Sequence, residues 1–395
     1  MPDASAADVR ALLTPEGATL MARLPPYDEG AALATAELLR REGVPAGLAA
    51  AAMTQSRLRA RGRNRLGPDA DRMWLTEAGL EQTTRRVVAD RHAERFARLG
   101  VRTVADLCCG VGGDLLALAR AGVPRVVGVD RDPVIAAIAA ANAAALGLGD
   151  RVEVRCEDVT TTSLDAVDAV FVDPARRGAH GRALDPRHWS PPLSFVLDVA
   201  AQVAATGAKL APGVPHTALP TDAEAEWVSD GGDVLECALW CGPLSTGVRR
   251  RATLLPSGAA LTGDGTQRAP AGPVGRYLVE PDGAVIRAGL VAELADLVDG
   301  HLVDPTIAYV TTDAAAATPY GTSYEVTDVL PFGVKRLRVL LRERGVGRVT
   351  VKKRGTAVTP EELRRQLRLR GDAEATVVLT RVAGEQSMLL VRPLS

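Results

Sequence analysis

The residues best suited to chemistry lie in one short stretch, Asp106-Leu-Cys-Cys-Gly110-Val-Gly112-Gly113-Asp114. A glycine-rich turn between a strand and a helix lets the backbone approach a ligand closely and offers the N-terminal amides of the helix. A dinucleotide enzyme would carry GxGxxG, in which those amides hold a pyrophosphate. This turn has the pattern GxGG, with the carboxylate of Asp106 four positions before the first glycine. Because that charge would repel a pyrophosphate but can pair with a cationic amino group, the turn favours S-adenosylmethionine over NAD as the cofactor.

Two more carboxylates follow the next two strands that the sequence predicts. Asp130 stands 20 residues after Gly110, where a carboxylate can accept hydrogen bonds from both ribose hydroxyls. Asp158 is placed to receive the adenine amino group. Each could instead be a loop residue that caps the following helix, but the ordered series at three successive strand ends favours a cofactor site. The predicted cofactor contacts are Asp106, Cys108, Gly110, Gly112, Asp130, Arg131, Asp158, Val159 and Asp173.

The acceptor side of the reaction is predicted after the fourth strand, in Asp173-Pro174-Ala175-Arg176-Arg177. We predict Asp173, Pro174 and Arg176 as catalytic residues that orient the methyl acceptor, because positioning matters most when a sulfonium already supplies the leaving group. The two arginines could hold an RNA phosphate or the acceptor base, as guanidinium forks do. They could instead pair with acidic residues of neighbouring loops.

The five cysteines suggest no other chemistry. Cys108 and Cys109 lie on the glycine turn, and a covalent route through a thiol would need a cysteine after the fourth or fifth strand. Cys237 and Cys241 come later, in a stretch that predicts a buried strand. A metal site at this pair lacks a second pair or a nearby histidine, so we expect buried thiols and no metal.

These residues are positioned by alternating strands and helices. Strands are predicted at 103–107, 125–129, 152–155 and 169–172, with helices at 114–121, 133–146 and 194–206. This alternation predicts an α/β fold with a parallel sheet, a Rossmann-like core. We place this S-adenosylmethionine-binding domain at residues 96–255.

The flanking regions differ in pattern. Residues 1–95 predict a helical domain, with helices at 8–13, 29–42 and 78–99. Residues 256–321 form a connecting region that is loop-like to residue 273 and contains a helix at 289–302. Residues 322–395 predict the order β-α-β-α-β-β, a small ferredoxin-like α+β domain, in which Thr359 caps the second helix.

The motifs resemble a known family. Residues 103–173 are similar to class I S-adenosylmethionine-dependent methyltransferases, particularly the branch with the RNA cap trimethylguanosine synthases, in CCGVGGD and GVDRDP. The whole chain more closely resembles a bacterial methyltransferase family with a C-terminal THUMP-like domain, through VDPARRG (172–178), YLVEPDGAVIRAGL (277–290) and the basic terminal region. Methyltransferases of exocyclic amines resemble one another after the fourth strand in having prolines and then an aromatic residue. This chain departs from them, with one proline and then arginines.

Charge suggests the partner. The net charge is only −1, but residues 322–395 carry 15 Lys+Arg against 8 Asp+Glu. A second basic stretch runs from Arg57 to Arg65, which on a helix could follow a phosphate backbone or form a solvated face. THUMP-type modules bind RNA, so the resemblance implies the same partner. No segment is apolar enough to span a membrane and no secretory signal is evident, so we expect a cytoplasmic protein.

The sequence therefore favours an RNA methyltransferase that acts on tRNA or rRNA, with a base nitrogen as the acceptor. A methyltransferase of small molecules or proteins is an alternative. A catalytically silent RNA-binding protein that retains the fold is another.

Overall fold

A computed structural model describes residues 9–175, 185–394 and the backbone of 177–178 and 181–182. It has the Rossmann-like α/β core that the alternation predicts, preceded along the chain by helices and followed by an α+β region. The chain divides into two compact units. The first comprises Met1–Ala218 and Leu239–Thr246, and the second comprises Leu219–Ala238 and Gly247–Ser395.

The N-terminal part of the first unit is helical, as predicted. After a helical turn at 9–12, its helices are α1 Pro15–Arg23, α2 Ala32–Arg41, α3 Ala46–Leu66, α4 Glu77–Gln82 and α5 Arg86–Leu99. The helix predicted at 78–99 is interrupted because residues 83–85 leave the helical path. None of the helices in the described ranges has both the length and the apolar character of a membrane span.

The core of the first unit is a parallel sheet. Its elements are β1 Thr103–Leu107, α6 Gly113–Arg120, β2 Arg125–Asp130, α7 Pro133–Ala145, β3 Val152–Cys156, β4 Ala169–Val172, the short pair β5 Arg177–Gly178 and β6 Gly181–Arg182, α8 Leu193–Gln202 and β7 Ala205–Leu210. The strand order is β3-β2-β1-β4-β7. In register, Leu107 pairs with both Val129 and Val172, so the carboxyl ends of β1, β2 and β4 lie at one edge. Ligands bind at this edge in open α/β sheets.

The second unit begins with four strands, of which the sequence predicts one. They are β8 Glu224–Asp230, β9 Asp233–Trp240, β10 Arg250–Leu255 and β11 Ala259–Gly263. β10 pairs with β8 in parallel and with β11 antiparallel. The prediction of a loop at 256–273 is therefore wrong for 259–263. The buried strand predicted around Cys237 is confirmed.

Next in the chain come β12 Tyr277–Pro281, α9 Gly283–Ala288, α10 Val291–Leu297, β13 His301–Asp304 and β14 Ile307–Thr312. The helix predicted at 289–302 is confirmed only over Val291–Leu297, and its predicted ends are wrong. Gly289 has a φ of 76° and ends α9, and Leu302 lies within β13. A left-handed residue at this position stops a helix, which is why glycine is favoured there.

The terminal region has the predicted order β-α-β-α-β-β, in the elements β15 Gly321–Pro331, α11 Val334–Glu343, β16 Val346–Lys353, α12 Pro360–Leu367, β17 Ala373–Val382 and β18 Glu385–Pro393. The predicted cap is confirmed, because the Thr359 hydroxyl accepts the N–H of Glu362 at 3.2 Å. The seven strands β12 to β18 form one sheet in the order β13-β14-β12-β15-β18-β17-β16. Three strands of the predicted connecting region thus belong to the same sheet as the terminal region, and β12 pairs directly with β15.

Candidate active site

The glycine turn is held at the end of β1 by hydrogen bonds to β2. The N–H groups of Cys108 and Cys109 both donate to the Val129 carbonyl, at 2.9 and 3.0 Å. Gly110 and Gly112 have φ values of 55° and 99°, which a residue with a side chain rarely adopts. At Gly113, an added Cβ would lie 2.5 Å from the Thr83 hydroxyl. The turn is therefore fixed in shape and packed too closely for a side chain.

Asp106 is a buried carboxylate that the surrounding protein leaves unpaired. Its side chain is 1% exposed. Neither of its oxygens makes a hydrogen bond of normal geometry within the described part of the chain. Burial, and then the negative charges of Asp114 and Asp173, raise the pKa of Asp106 well above its ordinary value. The charge of Lys209 and the Leu115 N–H act to lower the pKa of Asp106 without outweighing its burial. A buried carboxylate without a partner is costly, and a cationic ligand group is what would stabilise its charged form.

Asp130 lies against the glycine turn, as its spacing predicts. One of its oxygens accepts the N–H of Gly110 at 3.1 Å and the other accepts the N–H of Asp132 at 3.0 Å. Burial raises the pKa of Asp130 despite these bonds. The alternative that Asp130 caps the next helix does not hold, since Asp132 caps α7 through the N–H groups of Val134 and Ile135. Each oxygen of Asp130 keeps a lone pair with which it could accept a ribose hydroxyl.

Asp158 lies two residues beyond Cys156, which pairs with Asp130 in the sheet. Its side chain is exposed and one oxygen accepts the N–H and the hydroxyl of Thr160, at 2.9 and 2.7 Å. It thus closes a tight turn and caps no helix, and its contact with adenine stays a prediction. Its neighbour Val159 is half-buried, and Arg131 is exposed at the end of β2.

Asp173, at the end of β4, is held by a lysine that the sequence analysis missed. Lys209 on β7 donates to Asp173 Oδ2 at 2.5 Å, to Thr84 Oγ1 at 3.0 Å and to the Gln82 carbonyl at 3.4 Å. The Lys209 side chain is only 6% exposed, against 25% for Asp173. The chain has four lysines, and Lys209 alone lies in an apolar strand, a signal that sequence reasoning could have used.

A second buried carboxylate, Asp114, opens α6 and extends this network. It accepts the Thr84 hydroxyl at 2.5 Å and lies 2.8 Å from Nδ1 of His92. Although burial acts to raise it, the hydrogen bond and charge of His92, with Lys209 and Thr84, lower the pKa of Asp114. The sequence analysis assigned no role to Asp114, Thr84 or His92.

The N-terminal helices also fix the turn through Asn142 of α7, which is fully buried. Its amide donates to the carbonyls of Trp74 and Val111 at 3.0 and 2.8 Å, and its oxygen accepts the Trp74 N–H at 2.6 Å. Val111 belongs to the glycine turn. The helical region 9–99 is therefore part of the compact unit that forms the site.

Cys108, Cys109 and Cys156 of the first unit are poorly placed for a covalent route. Burial raises the pKa of both Cys108 and Cys109 well above its ordinary value. Cys156 is exposed but ends β3, three strands from β4, or roughly 14 Å at the usual strand spacing. In the second unit, burial also raises the pKa of Cys237. No cluster of metal-ligating side chains occurs among the residues that the structure describes.

The remaining predicted residues divide into two groups. Pro174 is buried next to Asp173. Arg176 lies outside the described residues, as does the side chain of Arg177, so both interpretations of these arginines stay open.

The arginines of the basic stretch Arg57–Arg65 make ion pairs, hydrogen bonds and a stacking contact within the protein. Arg57 and Arg61 pair with Glu77, and Arg63 pairs with Asp71. Arg59 donates to the Met73 carbonyl and stacks on Trp74, and Arg65 donates to the Thr83 carbonyl. These contacts favour the interpretation of α3 as a structural helix over a phosphate-binding one.

Comparison with known proteins supports the same chemistry. A family model described as a methyltransferase domain matches residues 104–176, one described as THUMP domain-like matches residues 321–393, and one for a domain of unknown function matches residues 5–62. An uncharacterized S-adenosylmethionine-dependent methyltransferase of Mycobacterium tuberculosis is 38% identical over 314 residues, which cover 78% of this chain and 85% of the relative. An 82-residue segment is 38% identical to the 23S rRNA (uracil(1939)-C(5))-methyltransferase of Acidithiobacillus ferrooxidans, over 19% of this chain and 18% of that protein.

One solved structure matches nearly the whole chain. It comes from a Porphyromonas gingivalis protein assigned as a methyltransferase, with a TM-score of 0.72 and 21% sequence identity. The match covers 94% of this chain and 100% of that one, which shows a shared fold.

Affinity for S-adenosylmethionine is expected to depend on pH through Asp106. The pKa of this carboxyl is raised in the ligand-free protein, and a bound ammonium group would lower it, so binding should release a proton. Affinity should then rise with pH, by up to about tenfold per pH unit, until the ligand amino group itself loses its proton near pH ~8. Calorimetric titrations in buffers of different ionisation enthalpy measure the released proton.

The matched control is Asp106→Asn, which keeps the side-chain shape but cannot ionise. This variant should bind more weakly and release no proton. Proton release that is equal in the two proteins would rule out Asp106 as the titrating group.

Proposed function

The chain belongs to the S-adenosylmethionine-dependent methyltransferases, and we propose that it transfers the methyl group to a base nitrogen of tRNA or rRNA. The observation that carries the acceptor side of this proposal is the carboxylate of Asp173, fixed by Lys209 at the carboxyl edge of the sheet. The proposal for RNA depends on the terminal module.

Asp173 is suited to orienting an N–H group of an acceptor base. Its side chain remains 25% exposed although Lys209 holds one oxygen, so the carboxylate is both fixed and accessible. The cofactor supplies an activated methyl group and its own leaving group. What the protein must add is an acceptor nitrogen held in line, and a fixed hydrogen-bond acceptor does this at little entropic cost.

The cofactor side of the proposal uses the residues predicted from the sequence. Asp106 would pair with the amino group of the methionine part, and Asp130 would accept the ribose hydroxyls. The unpaired, buried oxygens of Asp106 support the first role. The position of Asp130 against Gly110 supports the second.

The terminal module offers a basic surface on α11 and α12. The two helices pack together, since Arg342 donates to the Arg368 carbonyl at 3.3 Å. Five cations on or just after these helices are exposed and make neither an ion pair nor a side-chain hydrogen bond in the described chain: Lys335, Arg336, Arg365, Arg368 and Arg370. Unpaired cations on one surface are the electrostatic pattern of a phosphate-binding site.

Other basic residues of this module are already engaged. Lys352 bonds to Glu280 at 2.5 Å, Arg348 pairs with Glu374, and Arg344 pairs with Asp328. We therefore place the proposed RNA contact mainly on the helices, although Lys353 on β16 is exposed as well. The rRNA methyltransferase among the relatives supports a nucleic-acid substrate for this chain. The buried thiols of Cys108 and Cys109 favour a nitrogen acceptor over a carbon that needs a thiol nucleophile.

The proposal predicts one missing methylated nucleoside in RNA from a strain that lacks the gene. Mass spectrometry of digested tRNA and rRNA should find it, and the wild-type gene should restore it. RNA from that strain should then accept methyl groups from the purified protein.

Asp173→Ala should lower the single-turnover rate about 100-fold or more, the scale of a misplaced reactant, and change cofactor affinity only a few fold.

Two outcomes would contradict these predictions. If the nucleosides of tRNA and rRNA are the same with and without the gene, these RNAs are not the substrate. Methyl transfer by Asp173→Ala at the wild-type rate would show that Asp173 does not orient the acceptor.

The proposed RNA surface predicts a difference between two pairs of arginines. Arg336→Ala with Arg365→Ala should weaken binding to the substrate RNA and lower the slope of log affinity against log salt by about 2, since each lost phosphate contact removes about 1. The control pair, Arg57→Ala with Arg61→Ala, removes the same charge from α3 and should leave the slope unchanged. Filter binding across a salt series measures both. Equal effects of the two pairs would mean that α11 and α12 carry no special contact.

A further inference from the structure

Lys209 is held as a charged group by its surroundings. An ammonium has three N–H donors, and Lys209 directs them at three oxygens: Asp173 Oδ2, Thr84 Oγ1 and the Gln82 carbonyl. The side chain is nearly buried, so a neutral amine would lose strong charge-assisted bonds. The same geometry fixes Oδ2 of Asp173 and with it the rotation of the carboxylate.

We propose that Lys209 is a positioning residue for methyl transfer, which orients Asp173 and keeps it ionised at the acceptor site. This role depends on the function proposed above for Asp173. Lys209 itself lies behind the carboxylate and acts on the acceptor only through it.

Nearby carboxylates disfavour the charged form of Asp173, and Lys209 offsets their effect. Asp106 on β1 is close enough for the two charges to repel, and the charge of Asp173 also raises the pKa of the Cys108 thiol. Asp114 on α6 adds a third carboxylate, which His92 faces from α5. Lys209 is a positively charged group in direct contact with Asp173. Without it, the pKa of Asp173 would rise.

The position of Lys209 depends in turn on the break between α4 and α5. The hydroxyl of Thr84 donates to Asp114 Oδ2 and accepts from Lys209 Nζ, so one side chain joins both carboxylates. The continuous helix predicted from the sequence at 78–99 would not place these groups in this arrangement. The N-terminal helices thereby contribute to the acceptor site through Lys209.

The interaction can be observed by NMR without any methyl acceptor. The chain has four lysines, at 209, 335, 352 and 353, so proton–carbon spectra of the lysine ε-carbons in the full-length protein should show few signals. The signal missing from Lys209→Arg identifies Lys209. Its titration should lie above the ordinary lysine pKa of about 10.4. In Asp173→Asn, which keeps the side-chain shape, the titration should move to lower pH by about one unit or more. A Lys209 signal whose titration is the same in both proteins would overturn the proposal.

The pH dependence of single-turnover methyl transfer at saturating cofactor tests whether Lys209 keeps Asp173 ionised. In Lys209→Met, the acidic limb of the rate–pH profile should shift to higher pH by about one unit or more. The rate at neutral pH should fall at least about tenfold. Lys209→Arg should restore the limb to near the wild-type position, because it returns the charge. Thr84→Val, which removes only the bridging hydroxyl, should lower the rate less than Lys209→Met.

The two tests separate the two proposals. If RNA is not the acceptor, no transfer is seen, but the NMR titration still reports whether Lys209 holds Asp173. If transfer is seen and Lys209→Met keeps the wild-type limb, the positioning role is wrong while the proposed function stands.

Discussion

Three carboxylates at one edge of a parallel sheet are the constraint on which this active site depends. Asp106, Asp114 and Asp173 come from β1, α6 and the end of β4, and burying three negative charges together is strongly unfavourable unless each is compensated. The protein compensates two of them. His92 and Thr84 bind Asp114, and Lys209 binds Asp173. Asp106 keeps no such partner among the described residues, which is why we assign it to the cationic part of the cofactor.

This compensation explains why the helical region is part of the catalytic unit. Thr84 and His92 belong to residues 9–99, as does Trp74, which Asn142 binds beside the glycine turn. The sequence predicts a separate domain at residues 1–95, because the helical periodicity there differs from the alternation of strands and helices that follows. Physically, it supplies the polar groups that allow the sheet edge to carry so much negative charge.

The predictable part of the site is the part encoded locally. Asp106, Gly110 and Asp130 could be identified because strand ends recur at regular spacing and each strand is a short apolar run. Lys209 contacts residues 36 and 125 positions away, and no periodicity connects them. The strands β8 and β10 to β13 are hard to predict from the sequence, because charged residues interrupt β8 and β10, and β11, β12 and β13 are only four or five residues long. The arginines of α3 suggested nucleic acid, but partners 8 to 20 residues away engage three of them in ion pairs.

The central claim is that Asp106 pairs with the amino group of the cofactor, and a double-mutant cycle tests it most directly. Calorimetry would measure the affinity of wild-type protein and of Asp106→Asn for S-adenosylhomocysteine and for an analogue without the α-amino group. Loss of the amino group should weaken binding to the wild-type protein at least about tenfold more than to Asp106→Asn, because the partner carboxylate is already gone in the variant. The same loss of affinity in both proteins would show that the amino group binds elsewhere.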